Sequence, residues 1–269
     1  MICIFCKKTS DNSKSVEHII PESLGNKAHV LPRGIVCDDC NQYFAIKIEK
    51  EVLEQDYFKY ARAINGIKSK KNHFIPTTGI LLHPAGGKVD VFYSEEGIDI
   101  SLRNNETYIN LVASGAVNKI FIPAYPEPDP RNIYFSRFIC KVALEALALK
   151  FHQFNGWEAD IIDKKELDPL RHFARFGPGK IQFWHYHERK LYPPSQLFTA
   201  PTVYNEPYEV LHEFDFHYSQ TRELFFIMVI MGVEYAINMG GPEIDTYIIE
   251  LENNGGKSFL ERTWEKRIS

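Results

Sequence analysis

Two Cys-x-x-Cys pairs, Cys3 with Cys6 and Cys37 with Cys40, bracket a segment that carries Glu17 and His18. A two-residue gap lets both sulfurs of one turn face a single ion, so the four thiolates read as one tetrahedral structural zinc site. The 30-residue spacer holds Val16-Glu17-His18-Ile19-Ile20-Pro21, and Asn41 directly follows Cys40. These residue types suit cation-assisted hydrolysis. A hard cation takes oxygen ligands and keeps several waters, and an imidazole accepts a proton from water near neutral pH. An isolated Glu-His pair carries no meaning; the zinc frame gives this one its weight. Adjacent strand residues face opposite sides. Glu17 and His18 therefore reach one site together only where the strand ends or is distorted, which Pro21 allows.

The ordered series Cys3-x-x-Cys6, Glu17-His18-Ile19-Ile20-Pro21, Leu24-Gly25 and Cys37-x-x-Cys40-Asn41 resembles the HNH endonuclease family. The nearest match is its subfamily with a Glu-His-Ile-Ile-Pro core and a Cys-Asn end. The resemblance implies a treble-clef ββα-metal head stapled by zinc, a catalytic Mg²⁺ or Mn²⁺, and DNA as partner. It makes His18 the general base, and Glu17 and Asn41 the ligands of the catalytic cation. The family's middle Asn, which braces the hairpin and the catalytic His, is missing from His29-Val30-Leu31-Pro32-Arg33-Gly34. Asn26, His29 or a backbone carbonyl are the alternatives for that role. The rival reading from another class is a non-catalytic zinc-binding module that docks nucleic acid or a protein partner.

The elements that must position these residues follow from the apolar pattern. Short strands are expected over Ser15–Ile20 and Gly34–Val36, and a long helix from Cys40 to Asn65 closed by Gly66. Residues 73–125 read as β-rich, with strands at Ile80–Leu82, Val89–Tyr93, Ile98–Leu102 and Tyr108–Val112. The proline-rich stretch Pro123–Pro130 is a stiff connector. A helix capped by Ser136 runs to Phe154, and a shorter one covers Lys164–Ala174. Further strands are expected at Lys180–Tyr186, Leu197–Val203, Tyr208–Phe216, Leu224–Ile237 and Thr246–Leu251. The expected architecture is α+β: an HNH head over residues 1–66, joined by a helix to an α+β sensing or specificity domain over residues 73–269.

Composition is that of a globular protein, 44% hydrophobic and 25% charged, without an apolar run long enough for a membrane span. The net charge of −4 speaks against a protein that coats nucleic acid, but residues 1–72 carry 12 Lys and Arg against 9 Asp and Glu. Phosphate contacts need local positive charge; Lys7, Lys8, Arg33, Lys68, Lys70 and Lys71 are the candidates. Cys140 lies in an apolar segment and reads as a small buried hydrophobe. Reduced thiolates and a start without an export signal point to the cytoplasm. His185 with His187, and Glu213, Asp215 and His217, fall on strand faces and read by default as polar surface rather than a second metal site. The aromatics Trp157, Phe183, Trp184, Tyr186, Tyr192 and Phe198 read mainly as core.

A bare head of this size grips DNA chiefly through its backbone and would cut almost indiscriminately. The remaining residues must direct or gate it, as in a bacterial restriction or phage-defence effector answering to DNA features or to an activating small molecule or protein. One site cuts one strand, so paired cuts suggest a homodimer or higher. Leu224–Val233 and the helix Phe138–Phe154 are the apolar segments available for an interface.

Overall fold

The computed structural model describes residues 1–26, 28–69, 71–94, 96–123, 129–192, 197–198, 208–209 and 212–260. The fold is α+β, with a ββα head at its start. Strands β1 (Glu17–His18) and β2 (Val30–Leu31) form an antiparallel hairpin in which Glu17 pairs with Leu31 and His18 with Val30. Helix α1 (Asp38–Phe44) continues through a π turn, Ala45–Glu49, into α2 (Lys50–Leu53). Asp38 and Asp39 occupy its first turn, where the helix dipole favours acids. Gln55 is extended, ψ 140°, and separates α2 from α3 (Asp56–Ile64). The long helix expected over Cys40–Asn65 is thus broken, and the second hairpin strand lies at Val30–Leu31 rather than Gly34–Val36.

The backbone divides into two compact units. Residues 1–20, 26–51 and 129–269 make the first, and residues 21–25 and 52–128 the second. The second unit contains α3 and a sheet of order β5-β4-β3-β6, from β3 (Thr77–Leu81), β4 (Lys88–Ser94), β5 (Gly97–Ser101) and β6 (Ile120–Phe121). Its core is Leu81, Val89, Val91 and Val117, with Tyr108 and Leu111 packed against it. Tyr108–Val112, expected as a strand, belongs to helix α4 (Glu106–Ala113), because the Asn105 side chain caps it by accepting from the Tyr108 amide. The Pro123–Pro130 connector falls largely outside the described residues.

The first unit is built on α5 (Ile133–Phe151), α6 (Trp157–Ile161) and α7 (Asp168–Phe176) and on an antiparallel sheet of order β10-β11-β12-β7. Its strands are β7 (His187–Lys190), β10 (His212–Tyr218), β11 (Leu224–Ile230) and β12 (Val233–Asn238), and a separate short pair joins β8 (Leu197–Phe198) to β9 (Tyr208–Glu209). Leu224–Ile237 is therefore a hairpin, not one strand. Met231 and Gly232 both have positive φ, as a two-residue turn of the I′ kind needs, and a Cβ on Gly232 would lie 2.6 Å from the Tyr192 carbonyl oxygen. Thr246–Leu251 forms helix α8 (Asp245–Asn253), and Lys180–Tyr186 has no strand.

Asn132 caps α5, accepting from the amides of Tyr134 and Phe135; the expected cap Ser136 is buried and donates to the Trp184 carbonyl. Every residue from Phe135 to Ala148 is buried, Arg137, Lys141 and Glu145 included. Phe225 to Ile230 of β11 are likewise buried between β10 and β12. Of the two apolar segments considered for a subunit interface, Phe138–Ala148 and Phe225–Ile230 are buried within the chain, while Phe154 is exposed. No helix of the described residues is long and apolar enough to cross a membrane.

Candidate zinc centre and catalytic strand

The first knuckle is a tight turn. The Lys7 amide donates to the Cys3 carbonyl, the Cys3 amide to Lys8, and Lys7 takes a φ of 57° to close it. The second opens α1: Cys37 is extended at the N-cap, and the Asn41 amide donates to its carbonyl. The four sulfurs lie within 4.8 Å of one another, and Cys6 Sγ is 3.6 Å from Cys37 Sγ. Tetrahedral zinc with Zn–S near 2.3 Å needs sulfurs about 3.8 Å apart, so the set fits that ion. The Cys37 amide and Arg175 Nε approach the sulfurs of Cys3 and Cys40, each at 3.4 Å, the outer contacts that orient thiolates. The Cys40 thiol beside it holds the Cys3 thiol down to about 5. Among the described residues this is the one cluster of His, Cys, Asp and Glu arranged to hold a metal.

His18 is half-buried on β1, and its Nδ1 is buried without a hydrogen-bond partner among the described residues. Asn41, from the first turn of α1, donates through Nδ2 to the Val16 carbonyl at 3.2 Å, which sets the amide beside the start of β1. Asp38 ties down the approach to the strand by accepting from the amides of Lys14 and Ser15, and these bonds with the Ser15 hydroxyl hold its carboxyl below the usual range. Asn26 is 1% exposed and fully used. Its Nδ2 donates to the Ile20 and His29 carbonyls at 2.7 and 3.0 Å, and its Oδ1 accepts from the amides of Ala28 and His29. It staples the ends of the β1–β2 connection. The His29 ring packs on Phe214, and burial lowers its basicity.

Glu17 faces the other way, as alternation along a strand requires. Its carboxylate is 7% exposed and lies 2.5 Å from Lys141 Nζ. That ammonium also meets Glu49 at 2.7 Å and Glu145 at 3.0 Å, and lies 3.3 and 3.4 Å from the His18 and Ile19 carbonyl oxygens, to which it donates. Burial alone would depress the Lys141 ammonium, yet Glu145, Glu17 and Glu49 hold it well above the lysine range. Burial pushes the Glu145 carboxyl well up, helped by the charge of Glu17, and raises Glu17 as well. A carboxylate so engaged reaches a cation only by leaving Lys141. The motifs do not single out Lys141; its signal is Arg137, Lys141 and Glu145 recurring every four residues in an otherwise apolar helix.

The other candidates are dispersed. Lys7 pairs with Asp168 at 2.6 Å, Lys68 lies over the Phe74 ring, Lys8, Arg33 and Lys71 are exposed, and Lys70 lies outside the described residues. His217 pairs with Glu250, Asp215 with Lys150, and Glu213 accepts from Tyr192, so that face holds polar pairs. Trp157, Trp184 and Cys140 are core, whereas the Phe198 side chain lies outside the described residues.

The chain matches no curated protein and no solved structure. Residues 3–56, which contain the four cysteines with Glu17, His18 and Asn41, match the family model of the HNH endonuclease.

Proposed function

We propose that this chain is a metal-dependent DNA endonuclease that hydrolyses phosphodiester bonds. One observation carries the reading: His18 stands on a two-strand hairpin whose partner helix begins at a four-cysteine cluster and delivers Asn41 to the same strand. His18 takes the proton of the attacking water through its imidazole. Asn41 offers its amide oxygen to a Mg²⁺ or Mn²⁺ ion, and Glu17 joins it only on release from Lys141. When bound, such a cation neutralises charge on the leaving oxygen. The zinc cluster fixes the start of α1 and so the position of Asn41. The rest of the chain directs or gates the cut, in the manner of a bacterial restriction or phage-defence effector, and paired cuts call for at least a dimer. Light scattering with and without DNA checks that state, and a monomer that makes efficient double-strand breaks at limiting enzyme refutes it.

The commitment of Glu17 to Lys141 favours a second reading, a non-catalytic zinc module that docks nucleic acid or a protein partner. Plasmid cleavage with Mg²⁺ or Mn²⁺ decides between them. The nuclease reading expects cleavage that falls about 10²–10⁴-fold in His18→Ala, with DNA affinity and zinc content kept. No cation-dependent cleavage, or equal cleavage by a folded His18→Ala, selects the second.

A further inference from the structure

The structure assigns Lys141 as the positioning residue of the catalytic strand, the brace that the hairpin itself lacks. The inference rests on the nuclease reading for its activity readout and on geometry alone for its second readout. β1 is only two residues long and pairs on one side, with β2. Two residue pairs are too few to fix a strand in water, yet general base catalysis requires the imidazole to hold its place, where about 1 Å of misplacement costs about 10²-fold.

The hairpin's own side chains do not supply the brace. Asn26 bonds Ile20 and His29 but does not touch residue 18, and His18 Nδ1 has no hydrogen-bond partner among the described residues. Position must come through the backbone of β1, and Lys141 reaches it. Its Nζ donates to the carbonyl of His18 and to that of Ile19, two backbone contacts that do not depend on whether Glu17 stays paired with it. The ammonium has no freedom to wander. It is fully buried, it extends from the middle of a 19-residue helix, and Glu49 of the π turn pairs with it at 2.7 Å. Four residues earlier on the same face, Arg137 Nη2 donates to Tyr43 Oη at 2.8 Å. α5 therefore grips the head twice, once on α1 and once on the catalytic strand. Charge-assisted bonds in a buried setting are the stronger kind, and breaking such a cluster leaves charges unpaired.

A purely structural role and a positioning role separate on two substitutions in the full chain. Lys141→Met removes the contacts to Glu17, His18 and Ile19; Glu145→Gln disturbs the same buried cluster but leaves those contacts in place. Positioning expects kcat for DNA cleavage to fall about 10²-fold in Lys141→Met with KM nearly unchanged. It expects Glu145→Gln to stay close to wild type, and Lys141→Arg to recover part of the loss. Hydrogen exchange gives a readout independent of cleavage. The Ile19 amide, which donates to His29, should exchange at least tenfold faster in Lys141→Met and at the wild-type rate in Glu145→Gln. Should Lys141→Met fail to fold, Lys141→Met with Glu145→Leu removes the buried ammonium together with a carboxyl beside it and carries the same test. Wild-type kcat in a folded Lys141→Met, or equal losses in the two single variants, overturns the proposal. If wild type cleaves nothing, the nuclease reading fails by itself, and unchanged Ile19 exchange still overturns the brace.

Discussion

At the scale of single residues, Glu17, His18 and Asn41 are close in motif but face different surroundings. Asn41 is tied to Val16 only through its Nδ2, whereas Glu17 is sealed against Lys141. Their substitutions should therefore separate. Asn41→Ala should raise the Mn²⁺ needed for half-maximal cleavage by about 10-fold or more, as loss of a metal contact does. On the nuclease reading Glu17→Ala removes a ligand, and it also takes one of three carboxyls from a buried ammonium, so it should lower the urea midpoint as well as the cation response. A Glu17→Ala protein as stable as wild type would contradict the ion cluster. Glu145 adds a dependence on pH. Burial raises its carboxyl in the folded chain well above its ordinary value of 4.5, so folding takes up a proton. Its contribution is complete below the unfolded value and is lost as pH rises through the folded one. Glu145→Gln, which cannot ionise, should match wild type near pH 5 and exceed it in stability at pH 8. Parallel stability profiles for the two proteins would refute the assignment.

At the scale of elements, the hairpin depends on Asn26. Asn26→Ala would leave the buried Ile20 and His29 carbonyls without that donor and should cost about 1–3 kcal/mol in denaturant unfolding. A cost near zero would mean that water replaces the amide. The same elements show what could be read in advance. The cysteine cluster and a helix running on from Cys40 were legible because local spacing fixes which groups can share an ion or a turn. The family match over residues 3–56 agrees with them. The failures share one cause, since a short apolar run does not tell strand from helix. Tyr108–Val112 and Thr246–Leu251 are rich in Tyr, Ile and Val, yet Asn105 caps the first into a helix, and the second lays Tyr247 and Leu251 against the face of β11 carrying Phe225 and Ile227. Gln55 stops a helix with no glycine or proline to announce it. The role of Lys141 was hidden for a different reason: the β1 carbonyls and Glu49 that it meets lie more than 90 residues away, beyond any local pattern.

At the scale of the whole molecule, the four-cysteine cluster shares its unit with much of the chain beyond residue 66. Residues 1–20 and 26–51 share their unit with residues 129–269, and α5 and α7 tie them together. Arg171 of α7 donates to the Ile4 carbonyl between the first two cysteines, Arg175 to Cys40 Sγ, and Lys141 of α5 to β1. Zinc lost from a small independent head would leave the remainder unchanged. Zinc held by this cluster would also support α5 and α7, because metal binding free energy is folding free energy for whatever the site organises. The second unit, residues 21–25 and 52–128, has its own apolar core around Leu81, Val89 and Val91. Chelation, or Cys37→Ser, should therefore speed hydrogen exchange in the Cys3–Lys8 knuckle and in α1, and raise it as well in α5 and α7. The amides of β3 and β4 should keep their protection. Exchange that rises only within residues 1–51 would show an autonomous head, and loss of protection in β3 and β4 to the same degree would show that the two units unfold as one.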